Sequence, residues 1–227
     1  MLPIKDDAPK YGTPYVTYLL IALNLVIFIY ELLPSTDLQS FILHFGLVPA
    51  RIPAAFTAGG KVSATAALVP ILTSMFMHAT WLHVIFNMWA LWIFGDNVED
   101  YLGHARYLAF YLGSGVVAAL FQIFFNWNSI VPTLGASGAI AGVMGAYFLL
   151  YPGARVLTWF FIFLAWLPAW VVLGYWFVVQ FLSGAATSIE YANQRAGGIA
   201  FWAHVGGFLA GLAAIKMLPQ RPARFSY

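Results

Sequence analysis

The sequence predicts an all-α membrane protein: six transmembrane helices in a bundle, with a long membrane-associated first loop. Three observations lead there. Of 227 residues, 62% are hydrophobic and only 8% carry a charge, whereas a soluble domain charges about a quarter of its residues to cover its surface. Those few charges are separated by long uncharged stretches, and a charge in hydrocarbon costs several kcal/mol, so the gaps mark where spans of about 20 residues fit. The basic residues are also unevenly shared between the two sides that six spans create.

The gaps set the elements in order. Lys10 to Glu31 holds a first span, Tyr15–Tyr30. The loop Pro34–Thr80 is neither short nor plainly polar; Phe41, Phe45, Leu47, Val48, Ile52 and Phe56 fit either an amphipathic element in the outer leaflet or a loop packed on the bundle. Lys61 to Asp96 contains 34 uncharged residues, but Pro70, Thr73, Ser74 and His78 make its first half a poor lipid-facing helix. The second span is therefore placed at Trp81–Val98. Arg106 to Arg155 is uncharged for 48 residues and broken by Asn126, Asn128, Pro132 and Gly135, which fits two spans, Tyr107–Phe125 and Ser137–Leu150. Val156 to Ile189 holds a fifth, reaching about Leu182, and Ala196–Ile215 a sixth.

Six spans put both termini on one side. With the termini inside, Lys5, Lys10, Arg106, Arg155, Lys216, Arg221 and Arg224 face the cytoplasm, and Arg51, Lys61 and Arg195 face outward. Seven against three favours that direction. The first apolar stretch is too long for a signal peptide and no small-x-small site follows it, so it is read as a retained span. The expected organisation is a cytoplasmic tail over residues 1–13, a six-span domain over 14–218 and a second tail over 219–227. No transit peptide or organelle signal is evident, so a bacterial or archaeal plasma membrane is expected.

Composition excludes several functions. A net charge of +2 offers no clustered basic face, so no nucleic acid is expected as a partner. Without cysteine there is no disulfide, thiolate metal site or cysteine nucleophile. No cofactor and no metal is called for.

Polar residues inside the spans carry the functional signal. Spans two, four and six run in one direction, so equal distance from their inner ends means equal depth. Ser137 precedes Pro152 by 15 residues, His204 precedes Pro219 by 15, and His83 precedes Val98 by 15. At 1.5 Å per residue each lies about 22 Å above the inner boundary, within a hydrocarbon core about 30 Å thick. Asn87 sits one turn deeper on the face of His83. Singly, each has a structural explanation: an N-cap, a packing serine, a helix clip. Three spans polar at one level are harder to explain that way.

Small residues indicate how the spans meet. Gly138, Ala141, Gly142 and Gly145 line one side of span four, and Gly207 and Gly211 form a G-x-x-x-G after His204. Such faces let helix backbones approach closely. His204 shares a face with Gly207, so if span four packs there the ring reaches Ser137. A serine hydroxyl becomes a nucleophile when a base takes its proton, and neutral imidazole suits that task near pH 7. Asp96, Glu99 and Asp100 lie at the inner end of span two and Glu190 in an outer loop, so the arrangement is a dyad. His83, Asn87 and the Ser137 backbone N–H, at a helix N-terminus, are candidate oxyanion donors.

These residues resemble a family. Gly135-Ala136-Ser137-Gly138, the stretch His78-Ala-Thr-Trp-Leu-His83-Val-Ile-Phe-Asn87, and Ala203-His204-Val205-Gly206-Gly207 with Gly211 are similar to the signatures of the rhomboid intramembrane serine proteases, as is Ile93-Phe94-Gly95-Asp96-Asn97-Val98-Glu99-Asp100. The likeness runs from about Tyr15 to Leu218. It implies Ser137 as nucleophile, His204 as general base, and His83 and Asn87 as oxyanion ligands. It also implies transmembrane-segment substrates cut near their outer boundary, with small residues at the cut. The fifth span and the loop after it would admit substrate, and Pro34–Thr80 would be a membrane-embedded loop. Some bacterial members carry a tyrosine one turn after the serine that stacks on the histidine. Here Ala141 stands in that place, which leaves Phe208, Trp202 and Tyr147 as candidates to hold the His204 ring.

Other enzyme classes fail on residues. There is no His-Glu-x-x-His for a metalloprotease, Phe94-Gly95-Asp96 is not the Gly-x-Gly-Asp of an aspartyl intramembrane protease, and Ala139 breaks a G-x-S-x-G elbow. A transporter would show halves of matched hydropathy, which are not seen. The alternative of another class is a non-proteolytic binder of membrane clients, whose family members characteristically lack the Ser or His that this chain retains.

Overall fold

A computed structural model describes residues 1–57, 62–160, 162–190 and 200–220. The chain is mostly helical. α1 (Tyr15–Glu31) is an uninterrupted apolar run whose buried residues, Thr17, Leu20, Asn24, Phe28 and Glu31, fall three or four apart and so form one face. The stretch read as a long loop is a chain of short helices: α2 (Leu38–Phe45), α3 (Arg51–Phe56), α4 (Ala64–Leu68), α5 (Pro70–Thr73) and a 3-10 turn at Ser74–Phe76. Asp37 and Ser63 cap α2 and α4 through their side chains. Contacts tie this segment to the stretch that precedes Ser137. Leu47 forms a β-bridge with Thr133, and Ala50 N–H donates to the Ser129 carbonyl (3.0 Å).

The larger helices follow. α6 (Trp81–Leu102) starts at Thr80, whose hydroxyl accepts the His83 N–H at 3.2 Å, and stops at Gly103, where a φ of 78° turns the chain directly into α7 (His104–Phe125). α8 (Ser137–Leu150) is buried continuously from Gly138 to Tyr147. A helix apolar all round belongs inside a bundle, and α7, α6 and α10 (Phe201–Met217) surround it. By length and composition α7 and Ala169–Ser188 can each cross a bilayer, and Ala64–Phe76 with Trp81–Leu102, bent by 74°, makes a third if taken as one span. Tyr15–Glu31, Ser137–Leu150 and Phe201–Met217 are shorter apolar helices.

Two expectations need correction. The protein is not all-α: β1 (Leu2–Asp6), β2 (Arg155–Phe160) and β3 (Phe163–Pro168) form an antiparallel sheet in the order β1-β2-β3. The fifth helix, α9 (Ala169–Glu190), therefore begins at Ala169 and not at Val156. The run from Val156 to Pro168 is apolar, but it is rich in β-branched and aromatic residues, and β2 buries Val156 and Thr158 while exposing their neighbours at 155, 159 and 160. Residues 1–13 pack on the rest of the protein. Besides pairing with β2, they place Asp6 to accept the Tyr147 hydroxyl (2.6 Å), Pro9 to accept from Asn97 (3.0 Å), Lys10 on Asp96 (2.5 Å) and Asp7 on Arg155 (2.8 Å). The Arg155 backbone N–H and guanidinium hold the Asp7 carboxyl below its ordinary pKa. Lys61, Arg195, Arg221 and Arg224, and most of the second tail, lie outside the described residues, as does the Glu190 side chain.

Candidate active site

The site is built where α8 and α10 begin. Gly207 and Gly211 of α10 lie directly on the Gly138 and Gly142 carbonyls of α8, and the Phe208 carbonyl fills the space where Gly145 has no side chain. A Cβ at any of these three glycines would overlap backbone, so the two helices touch main chain to main chain. Gly142 also faces the Ser114 side chain and Gly138 the Ala118 methyl, which draws in α7. This register decides what faces what. Ser137 is the first residue of α8, next to Gly138, and His204 lies three residues before Gly207. Their Oγ and Nε2 atoms are 2.7 Å apart.

His204 is 8% exposed. Its second ring nitrogen, Nδ1, is 2.6 Å from the Gln180 Oε1 of α9, and the Trp176 ring lies 5.7 Å away, tilted by 36°. Sequence reasoning missed both. The three candidates it offered do other things. Trp202 stacks on Phe125 (3.8 Å, 10°), Phe208 on Phe177 (4.7 Å, 28°), and Tyr147 packs edge-on against Phe94 while bonding Asp6. Gln180 did leave a signal, as the one strongly polar side chain in Trp176-Phe177-Val178-Val179-Gln180-Phe181-Leu182.

His83 and Asn87 come to the site through Gly135. The φ of 124° at Gly135 is one that side chains rarely adopt, and it swings the chain into α8. A Cβ there would stand 2.7 Å from the His83 ring and 3.6 Å from Asn87 Nδ2. The His83 ring and the Asn87 amide thus border the backbone two residues before Ser137. Gly135 N–H donates to the Ser74 carbonyl (2.9 Å), tying this turn to the first loop. Asn87 Nδ2 lies 2.9 Å from His78 Nε2, and the His78 N–H donates to Glu31 (3.3 Å), a carboxylate that is 4% exposed. Glu31 bounds the first span as expected, being the last residue of α1, and its side chain is turned inward. Beside Ser137 is a cavity whose lining includes the small residues Gly115, Ala118, Gly138 and Ala203, the larger Leu47, Met75 and Leu134, and the polar Ser74, Gln122 and Thr133.

Apolar helices packed through glycine, with a serine and a histidine in contact where two of them begin, define an integral membrane protein with a buried polar site. Residues 65–221, more than half of the chain, match the family model described as the Rhomboid domain, and the chain belongs to the rhomboid family. It is 32% identical over 148 residues to "Rhomboid protein 1, mitochondrial" of Saccharomyces cerevisiae, a match covering 63% of this chain and 40% of that protein. It is 30% identical over 208 residues to "Presenilin-associated rhomboid-like protein, mitochondrial" of Homo sapiens, covering 85% and 45% respectively. To "Rhomboid protease GluP" of Bacillus subtilis it is 33% identical over 141 residues, covering 62% and 25%. The matches span less than half of each relative's length. The resemblance read from the motifs holds at the level of the family.

Proposed function

We propose that the chain is an intramembrane serine endopeptidase that cleaves transmembrane segments. The observation that carries this reading is the 2.7 Å contact between Ser137 Oγ and His204 Nε2 inside an apolar bundle. In the proposed cycle His204 Nε2 takes the Ser137 proton as Oγ attacks the scissile carbonyl. The tetrahedral oxyanion is held by the His83 ring, the Asn87 amide and the Ser137 backbone N–H, which stands in the first turn of α8, where N–H groups have no partner four residues back. Collapse breaks the C–N bond, His204 gives its proton to the leaving amine, and an acyl-enzyme remains on Ser137. A water molecule, deprotonated by His204, then releases the second product and restores the serine. The small residues Gly115, Ala118, Gly138 and Ala203 in the cavity beside Ser137 suit a small substrate side chain at the cut.

In this reading α1, α6, α7, α8, α9 and α10 are the six spans of a domain over residues 14–218, in a prokaryotic plasma membrane with both termini cytoplasmic and the site opening outward. The placement of basic residues supports that direction. Lys10, Arg155 and Arg106 contact Asp96, Asp7 and the Pro219 carbonyl at the sheet end, whereas Arg51 bonds the Leu43 carbonyl near the start of α8.

The test compares wild type, Ser137→Ala and His204→Ala on a model single-span substrate in liposomes. Both variants should lose at least about 10³-fold in rate, since nucleophile and base act as a unit. Equal cutting by all three, or failure of a serine-directed phosphonate to label Ser137 in an active sample, would reject the mechanism. Alanine at His83 or Asn87 should lower kcat about 10²-fold while KM changes little, as expected for oxyanion donors. Unchanged turnover in both would remove them from the site.

A further inference from the structure

We propose that Gln180 is the third member of the site, a positioning residue whose amide oxygen accepts the Nδ1 hydrogen of His204 and so holds Nε2 bare toward Ser137. The proposal deepens the proteolytic reading of Ser137 and His204 and rests on it.

The argument is one of proton placement. Neutral imidazole carries one N–H and one lone pair. For Nε2 to accept from Ser137 Oγ at 2.7 Å, the hydrogen must be on Nδ1. In a ring that is 8% exposed, that hydrogen needs a partner, because a buried donor without one costs about 1–3 kcal/mol. Gln180 Oε1 stands 2.6 Å from Nδ1. The reverse arrangement, with the amide donating to Nδ1 and Nε2–H donating to Oγ, would satisfy the same distances and leave Ser137 without a base. The two arrangements thus make opposite statements about one proton.

The chemistry of the depth favours an amide over a carboxylate. A carboxylate would stabilise imidazolium more strongly, but it would bring a full charge into the apolar interior. A neutral amide fixes ring orientation and tautomer without that cost. Trp176 is one turn before Gln180 on the same face of α9, and its ring covers the imidazole. Orientation along the Nδ1 axis and restraint across the ring plane therefore come from a single helix. Neither contact is made by α8, where the residue one turn after Ser137 is Ala141. A displacement of α9 from α10 would break both contacts while leaving Ser137 and His204 seated on their glycine seam.

The experiment uses the full chain reconstituted in liposomes, as wild type, Ser137→Ala, Gln180→Leu and Gln180→Glu. Imidazole nitrogen chemical shifts of the wild type should show His204 protonated at Nδ1 and bare at Nε2 at neutral pH; a bare Nδ1 overturns the proposal without any variant. Gln180→Leu, of similar shape with no acceptor, should lower kcat on the order of 10–100-fold, slow phosphonate labelling of Ser137 in parallel and leave KM within about twofold. Gln180→Glu should restore most of that rate and move the acid limb of the pH profile upward, because a carboxylate on Nδ1 favours imidazolium. A Leu variant with wild-type kcat, or a Glu variant as slow as Leu, overturns the role of the oxygen. Failure of the proteolytic reading shows differently, as a wild type no faster than Ser137→Ala, and the nitrogen shifts still decide where the proton sits.

Discussion

α10 meets α8 and α9 through seams of opposite construction, and His204 lies where they join. Toward α8 the seam is bare backbone: Gly207 on the Gly138 carbonyl, Gly211 on the Gly142 carbonyl, and Gly145 against Phe208. Toward α9 it is made of side chains, with Gln180 on the His204 ring, Trp176 tilted over it, and Trp202 Nε1 donating to the Ser188 hydroxyl (2.9 Å). Backbone cannot yield, whereas side chains can change rotamer. A smaller share of α9 than of α7 is buried inside the protein. The first seam fixes the distance from serine to histidine; the second sets how the histidine is held.

The largest effect should come from breaking the rigid seam. Gly207→Ala adds one methyl group, but that carbon would overlap the Gly138 carbonyl, and neither main chain can move without separating Ser137 from His204. We expect a loss of about 3 kcal/mol in stability, at the upper end for overpacking, with cleavage falling in step. Thermal unfolding in mild detergent measures it. A variant as stable and active as wild type would mean that the seam is not the structural anchor of the site.

A smaller loss is expected on the other seam. Trp176→Ala removes a half-buried ring that covers His204 without touching Ser137. Stability should fall by about 1–2 kcal/mol, below the range for a fully buried tryptophan. The cleavage rate should fall several-fold beyond what the folded fraction explains, since the His204 ring gains freedom. A rate loss accounted for by unfolded protein alone would make Trp176 a packing residue only.

The contrast between the seams also explains what could be read in the sequence. The α8–α10 pairing was legible because its signal is local. Gly138, Gly142 and Gly145 lie on one face of one helix, Gly207 and Gly211 on one face of another, and Ser137 and His204 are fixed to those faces by helical spacing. The contribution of α9 was hidden by a boundary. A stretch running from Val156 to about Leu182 puts Gln180 24 residues along, about 36 Å, near its outer end and not at the depth of Ser137 and His204. Once β2 takes up residues 155–160 and β3 residues 163–168, α9 starts at Ala169 and Gln180 lies 11 residues in, about 16 Å and well inside. Charge gaps could not reveal this, because an apolar hairpin and an apolar helix are equally uncharged. Glu31 was obscured by a similar assumption. A carboxylate at the edge of an apolar run marks a boundary by composition, but the last turn of α1 faces His78 and not water.

The smallest expected effect is the sharpest check on the comparison, because it repeats the glycine substitution on the yielding seam. Gly184 lies on the face of α9 that carries Trp176 and Gln180, four and eight residues apart. A Cβ there would stand 3.3 Å from the Phe201 Cβ and 3.3–3.4 Å from the Trp202 ring, side-chain atoms that need give only a few tenths of an ångström. Against that small push, alanine gains up to about 1 kcal/mol of helix propensity over glycine. Gly184→Ala should therefore stay within about 0.5 kcal/mol of wild type and cleave within about twofold of its rate. Measured beside Gly207→Ala in the same detergent, the pair differs only in what the added methyl meets. If Gly184→Ala costs as much as Gly207→Ala, the α9 seam is as unyielding as the α8 seam, and α9 could not shift without taking the serine–histidine contact with it.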